Sequence, residues 1–116
     1  MRRVVVTGLG LVTPLACGVK ETWDGLLASR SGLAAIAGFE VSDLPARVAA
    51  QVPRGDGPAQ FNPDAWITPK EQRKMDHFIH FAIAAATQAV EDAGWKPEDE
   101  AERLRTGVMI GSGIGG

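Results

Sequence analysis

The last six residues of the chain match the glycine pattern G-x-G-x-x-G, which is typical of dinucleotide-binding turns. They follow an apolar run, Gly107 to Ile110, that predicts a strand, and their glycines would let a backbone approach a pyrophosphate. That chemistry also needs a following helix and an acidic residue about 20 positions later. Neither occurs in the 116 residues. The residues alone leave a cofactor loop and a close-packed structural loop as alternatives, and they favour the second.

Three cations, Lys70, Arg73 and Lys74, form the basic cluster of the chain. Their i, i+3 and i+4 spacing places them on one face of a predicted helix. Cations at the positive end of a helix dipole are unfavourable by up to about 0.3–1 kcal/mol each, which suggests a use outside the helix. The alternatives are a docking surface for an acidic partner and a solvated face partly neutralised by Glu71 and Asp76.

Cys17, His77 and His80 are the other side chains that could do chemistry. A nucleophilic cysteine needs a histidine, a cation or a helix N-terminus beside it, and the sequence shows none close to Cys17. His77 and His80, with Asp76 adjacent, could supply two metal ligands on one helix face, but no third ligand is evident. The sequence therefore predicts a packing role for Cys17, histidines on the flank of a helix, and no metal site.

The elements that hold these groups begin with Val4-Val5-Val6, which predicts a strand buried on both faces, as in an α/β sheet. Apolar residues at helical spacing predict a helix from Lys20 to Arg30. The segment from Leu33 to Ala65 is predicted to be rich in loops, with a possible strand around Arg47 to Val52. Its prolines and glycines give no stronger pattern.

The basic cluster lies at the start of the clearest predicted element, one long helix from Thr68 to Ala93. Thr68 supplies an N-cap, Pro69 the first helical position, and Glu71 a partner for a capping box. Apolar residues follow at steps of three and four, many of them alanines, and Gly94 lies where a C-cap is expected. The alanines predict close packing against this helix.

The composition limits the function classes. With 45% apolar and 22% charged residues, the 116-residue chain is predicted to form one globular domain. A net charge of −2 provides no overall basic field for nucleic acid, and no apolar run approaches the roughly 20 residues of a membrane span. Arg2 and Arg3 precede an apolar run like that of a signal peptide, but Gly8, Gly10 and Pro14 interrupt it. A single cysteine forms no internal disulfide and suits a reducing compartment.

Taken in order, the motifs VVVTGLG, KEQRKMDHF, EDAG and GSGIGG resemble the N-terminal part of β-ketoacyl-acyl carrier protein synthases of the type II class. The resemblance covers nearly the whole chain and is loosest between Gly38 and Ile67. It implies an α/β fold, the N-terminal part of a thiolase-type layered αβαβα fold. Residues 1–116 would form the opening of the first half-domain, in a family whose chains continue well beyond Gly116.

The resemblance also implies an acyltransferase. The reaction is the decarboxylative Claisen condensation of malonyl-acyl carrier protein with a cysteine-bound acyl chain, in fatty acid elongation. The family's catalytic cysteine and two histidines are expected downstream of Gly116, so this chain holds no catalytic residue. By the same resemblance Lys70, Arg73 and Lys74 bind acyl carrier protein, and Ile114 lines the acyl pocket, where the neighbouring glycines allow tight packing.

The expected protein is a cytoplasmic homodimer that uses no cofactor and binds acyl carrier protein, not nucleic acid or a membrane. Thr68-Pro69 departs from the family pattern, which has a basic or polar residue before Lys70. One alternative is a non-catalytic partner subunit of the chain-length factor type. The other, from a different class, is a dinucleotide-binding module that uses GSGIGG.

Overall fold

The computed structural model describes residues 1–115 and divides into two compact units. Residues 1–10 and 63–115 form one unit, and Leu11–Asn62 form the other. Helices and a small sheet give the α/β composition that the sequence predicts. No helix among the described residues has the length and apolar character needed to cross a membrane.

The unit formed by Leu11–Asn62 begins with helix α1, Val19–Leu27, which confirms the helix predicted from Lys20 to Arg30. Thr13 organises the turn before it: its Oγ1 donates to the carbonyl oxygen of Ala16 at 3.1 Å and lies 3.1 Å from Oγ1 of the buried Thr22. The packed face of α1 is thus small and polar. Its large apolar residues, Trp23, Leu26 and Leu27, are exposed.

A two-stranded antiparallel sheet follows α1 in the same unit. Strand β1, Leu33–Ala35, pairs with strand β2, Val48–Ala50, with Ala34 opposite Ala49. Strand β2 confirms the strand predicted around Arg47 to Val52, whereas β1 lies in a segment predicted as loop. The ring of Phe61 is fully buried, and the Arg54 guanidinium lies 5.7 Å from its centroid.

The long helix predicted from Thr68 to Ala93 is two helices, so the prediction of one continuous element is wrong. After the 3₁₀ helix Pro63–Ala65 come α2, Pro69–Gln72, and α3, His77–Ala93. The break has a local cause: Asp76 is extended, with φ −78° and ψ 165°, and forms the N-cap of α3. Gly94 is left-handed at φ 62°, which confirms the expected C-cap.

The alanine face of α3 packs against the N-terminal glycines. A Cβ atom on Gly10 would collide with the backbone of Ala85, and one on Gly8 with that of Ala89. The backbone N–H of Leu9, between them, donates to Oδ2 of Asp92 at 2.9 Å. The predicted close packing is therefore present, and its partner is a turn rather than a second helix.

The strands predicted at Val4-Val5-Val6 and Gly107 to Ile110 are absent from residues 1–115, and those two predictions are wrong for this structure. A strand needs a neighbouring backbone to complete its hydrogen bonds, and neither segment pairs within the described residues. Their side chains are open to solvent, with Val4 94% and Val108 88% exposed. Between them, helix α4, Glu100–Leu104, forms in a segment for which the sequence analysis predicted no element.

Candidate functional site

The basic cluster is carried by α2, which has only four residues. Thr68 is extended at the N-cap, with φ −63° and ψ 145°, and Pro69 occupies the first turn, as predicted. The predicted capping box does not form: within residues 1–115 no side-chain hydrogen bond caps α2, and the hydroxyl of Thr68 instead donates to Oε2 of Glu71 at 2.8 Å. The carboxylate of Glu71 is therefore hydrogen-bonded to the side chain of the N-cap residue, Thr68.

Lys70, Arg73 and Lys74 are all exposed. Lys70 lies within α2, Arg73 is the C-cap, and Lys74 follows the helix, so the cluster spans the whole short element rather than its first turn. The backbone N–H of Lys74 donates to the carbonyl oxygen of Glu71 at 2.9 Å, which continues the turn past the helix end. Within residues 1–115, none of these cations forms an ion pair. The cluster is thus available to an external anion.

A surface groove of about 460 Å³ borders the cluster, between α2 and the first turn of α3. Arg73 contributes to its wall, together with the thioether-bearing Met75 and the imidazole of His77. The site is therefore the basic cluster beside a shallow, partly apolar depression, whose wall carries the guanidinium of Arg73 and also the carboxylate of Asp76. Such a surface suits a macromolecular partner with acidic side chains rather than an enclosed small molecule.

The two histidines lie side by side but in different environments. Their ring centroids are 5.8 Å apart. His77 is exposed, whereas His80 is 5% exposed and its Nε2 lies 3.2 Å from the carbonyl oxygen of Gln72. Among the described residues, no cluster of three or more histidine, cysteine or carboxylate side chains could hold a metal ion. Cys17, in the other unit, is buried.

Ile114 lies in the glycine-rich segment at the end of the described residues, with its side chain 105% exposed. Gly115 next to it has φ 81° and approaches Phe78 of α3: a Cβ atom there would lie 3.0 Å from Cζ of the ring. The segment is thus seated against α3 by a glycine that no larger residue could replace without strain. Gly116, the last residue of the motif, lies outside the described residues.

Two roles at this site are not predicted from the sequence: that of Gln72, and that of His80, which the sequence suggests only as a possible metal ligand. The side-chain amide of Gln72 donates to the carbonyl oxygen of Ile67 at 2.7 Å and to Oδ1 of Asp64 at 2.8 Å. Both residues meet across the break between α2 and α3. Because the sequence predicted a continuous helix, it gave no signal that they would lie together.

The sequence model of a protein family, described as the N-terminal domain of β-ketoacyl synthases, matches residues 1–116. The chain is 54% identical over 117 residues to 3-oxoacyl-[acyl-carrier-protein] synthase 2 of Rhizobium meliloti (strain 1021), covering 100% of this chain and 28% of that protein. It is 44% identical to the enzyme of the same name from Coxiella burnetii (strain RSA 493 / Nine Mile phase I), covering 99% of this chain and 26% of that protein.

A solved structure also resembles the chain. The ishigamide ketosynthase/chain length factor superposes with a TM-score of 0.70 at 37% sequence identity, over 82% of this chain and 22% of that one. The chain therefore spans about a quarter of the length of the curated relatives that it matches.

Proposed function

The chain belongs to the β-ketoacyl synthase family, whose N-terminal domain it matches, and we propose that the protein carrying it is a condensing enzyme that elongates acyl chains. The proposed reaction joins malonyl-acyl carrier protein, with loss of carbon dioxide, to an acyl group held as a thioester on a cysteine. The observation that carries this proposal is the 54% identity to a 3-oxoacyl-[acyl-carrier-protein] synthase 2 over the whole chain.

The proposed catalytic residues are a cysteine and two histidines outside this chain. The cysteine thiolate attacks the acyl thioester, and the histidines stabilise negative charge on the malonyl thioester oxygen. The proposed whole protein is a cytoplasmic homodimer with the layered αβαβα fold, without a cofactor. Cys17 is buried in the unit formed by Leu11–Asn62 and takes no part in this chemistry.

Within this reaction, the basic cluster of Lys70, Arg73 and Lys74 is the proposed docking surface for acyl carrier protein. Its three cations are exposed and free of ion pairs within residues 1–115. Exposed ion pairs are individually weak, with a median of about 0–1 kcal/mol, so the surface acts through several charges together. Long-range attraction between such a cluster and an acidic protein accelerates association and weakens as salt screens it.

The test is a variant of the full-length protein with Lys70, Arg73 and Lys74 all changed to glutamate. Its affinity for acyl carrier protein is measured at low and high salt. We expect a strong loss of affinity that is larger at low salt. The matched control changes Arg2, Arg3 and Lys96 to glutamate, which alters the net charge equally at other exposed positions. Equal affinity of the two variants contradicts the docking assignment.

Ile114 is the proposed residue of this chain that lines the acyl pocket. It precedes Gly115, whose backbone approaches the ring of Phe78 near the start of α3. Its exposed aliphatic side chain is suited to contact a fatty chain once other parts of the protein enclose it. In this proposal the glycines of GSGIGG let the backbone pack closely beside the acyl chain, and they bind no dinucleotide.

A chain-length factor, a partner subunit without the reactive cysteine, is the second candidate, because the superposed solved structure is a ketosynthase/chain length factor. Mass spectrometry of the intact full-length protein after incubation with acyl-loaded carrier protein separates the two. A condensing enzyme gains the mass of one acyl group. An unmodified full-length protein supports the chain-length factor and contradicts the proposed enzyme.

A further inference from the structure

The helix that presents the basic cluster is too short to be stable by itself. Helix α2 comprises Pro69–Gln72, a single turn. Isolated helices shorter than about 12–15 residues are marginal in water, because the first turn fixes several residues for one hydrogen bond. The arrangement of the cations must therefore depend on contacts that α2 makes with the rest of its unit.

One such contact is the side chain of Gln72, the last residue of α2. Its amide group donates to the carbonyl oxygen of Ile67 at 2.7 Å, just before the helix, and to Oδ1 of Asp64 at 2.8 Å in the 3₁₀ helix. Gln72 lies between Lys70 and Arg73 in the sequence. These hydrogen bonds tie the centre of the basic cluster to the preceding segment.

The other contact joins α2 to α3. Nε2 of His80 lies 3.2 Å from the carbonyl oxygen of Gln72. Because a carbonyl oxygen can only accept, Nε2 is the protonated nitrogen and donates this hydrogen bond. His80 is 5% exposed in the first turn of the 17-residue helix α3, so it provides a fixed point for the end of α2.

We propose that Gln72 and His80 are positioning residues that hold Lys70, Arg73 and Lys74 in the arrangement that docks acyl carrier protein. This inference rests on the proposed function of the basic cluster. The anchored turn avoids the conformational entropy cost of ordering the backbone that carries the three cations at the moment of binding. Loss of an anchor then weakens docking without removing any charge.

A second property of His80 allows docking and stability to be measured separately. Its other ring nitrogen, Nδ1, is buried and has no hydrogen-bond partner among residues 1–115. Leucine in place of His80 removes the desolvation cost of the unsatisfied Nδ1, which offsets the loss of the hydrogen bond from Nε2. Gln72 is half-buried, and its carbonyl oxygen is expected to accept a hydrogen bond from water in place of the lost donor. A His80→Leu variant is therefore expected to remain folded.

The experiment compares His80→Leu, His80→Gln and Gln72→Leu in the full-length protein, with affinity for acyl carrier protein and thermal midpoint measured for each. We expect His80→Leu to bind about twofold to tenfold more weakly, the range for one hydrogen bond, with an unchanged or higher midpoint. Gln72→Leu is expected to weaken binding as well. His80→Gln, whose amide can donate to the same carbonyl oxygen, is expected to restore affinity.

The salt dependence of binding distinguishes the loss of a positioning residue from the loss of charge. The loss caused by His80→Leu is expected to be equal at low and high salt, because all three cations remain, whereas reversal of the cations has its largest effect at low salt. Suppose that charge reversal abolishes docking but that His80→Leu and Gln72→Leu bind with unchanged affinity. That result overturns the positioning inference and leaves the docking surface in place. If charge reversal has no effect, the proposed docking surface fails and this inference fails with it.

Discussion

Oδ2 of Asp92 accepts a hydrogen bond at 2.9 Å from the backbone N–H of Leu9, a residue 83 positions earlier in the chain. This contact fixes the N-terminal turn to α3 at the point where Gly8 and Gly10 approach the helix. It joins two stretches of the chain that no local sequence pattern connects.

Replacing Asp92 with alanine is expected to lower the free energy of unfolding by about 1–2 kcal/mol, because the Leu9 N–H loses a charged acceptor. Urea denaturation measures the change. Glu91→Ala is the matched control, since it removes a neighbouring exposed carboxylate from the same helix. Equal effects of the two substitutions contradict a specific role for the Leu9–Asp92 hydrogen bond.

Gly10→Ala is expected to destabilise the protein by at least about 1–3 kcal/mol, the usual cost of forcing extra atoms into a packed site. The new methyl group would collide with the backbone of Ala85, which cannot move without distorting α3. Thermal or urea unfolding measures the loss. A Cβ atom on Gly107 meets no described residue within 4 Å, so Gly107→Ala is the control. A Gly10→Ala variant as stable as that control is inconsistent with the close approach.

The elements that sequence reasoning predicted well have local signals. Helix α1 and the boundaries at Thr68 and Gly94 follow from capping residues and helical spacing, which act within a few positions. Helix α4 could have been found in the same way. Asp99 followed by Glu102 is a capping-box pattern, and Oδ1 of Asp99 accepts a hydrogen bond from the Glu102 N–H at 2.8 Å.

The failures concern features that no local sequence pattern shows. Val4-Val5-Val6 has the composition of a buried strand, but a strand forms only where another backbone pairs with it. The helix break at Asp76 was hidden because apolar spacing continues across it. The basic cluster was visible as charge, whereas its anchors, Gln72 and His80, come together only through the turn between α2 and α3.

Ile114→Phe is expected to disfavour long acyl chains while sparing short ones, because the larger ring would fill the deep end of the proposed pocket. The measurement is the rate of condensation of the full-length enzyme with acyl carrier proteins bearing chains of increasing length. Leu104→Phe, on the exposed surface of α4, is the control. A uniform change in rate across all lengths removes Ile114 from the pocket.

Glu40 is expected to titrate below its ordinary pKa of 4.5, since the Ser42 backbone N–H, the Ser42 side chain and the Val41 N–H donate to its carboxylate. Folding lowers this pKa, so the ionised group stabilises the folded loop at pH values above its unfolded pKa. That contribution is lost as the pH falls through the folded value. Because Glu40 is fully exposed, the effect on overall stability is small.

A carbon-detected NMR titration of the Glu40 side chain measures this shift directly. Ser42→Ala removes the hydrogen bond from the hydroxyl but keeps both backbone donors. The pKa of Glu40 should therefore return only part of the way toward its ordinary value of 4.5. A midpoint at or above 4.5 in the unmodified protein shows that the carboxylate does not hold these hydrogen bonds in solution.

The seating of Gly8 and Gly10 on Ala89 and Ala85 constrains the order of events during synthesis. The N-terminal turn can dock only after α3 has left the ribosome. At about 5–20 residues per second, that delay is on the order of ten seconds. During this interval Gly8 and Gly10 have no helix to pack against, and the adjoining apolar segment Val4-Val5-Val6 is open to a chaperone. The residues translated first therefore reach their final positions only after a helix translated some 80 residues later.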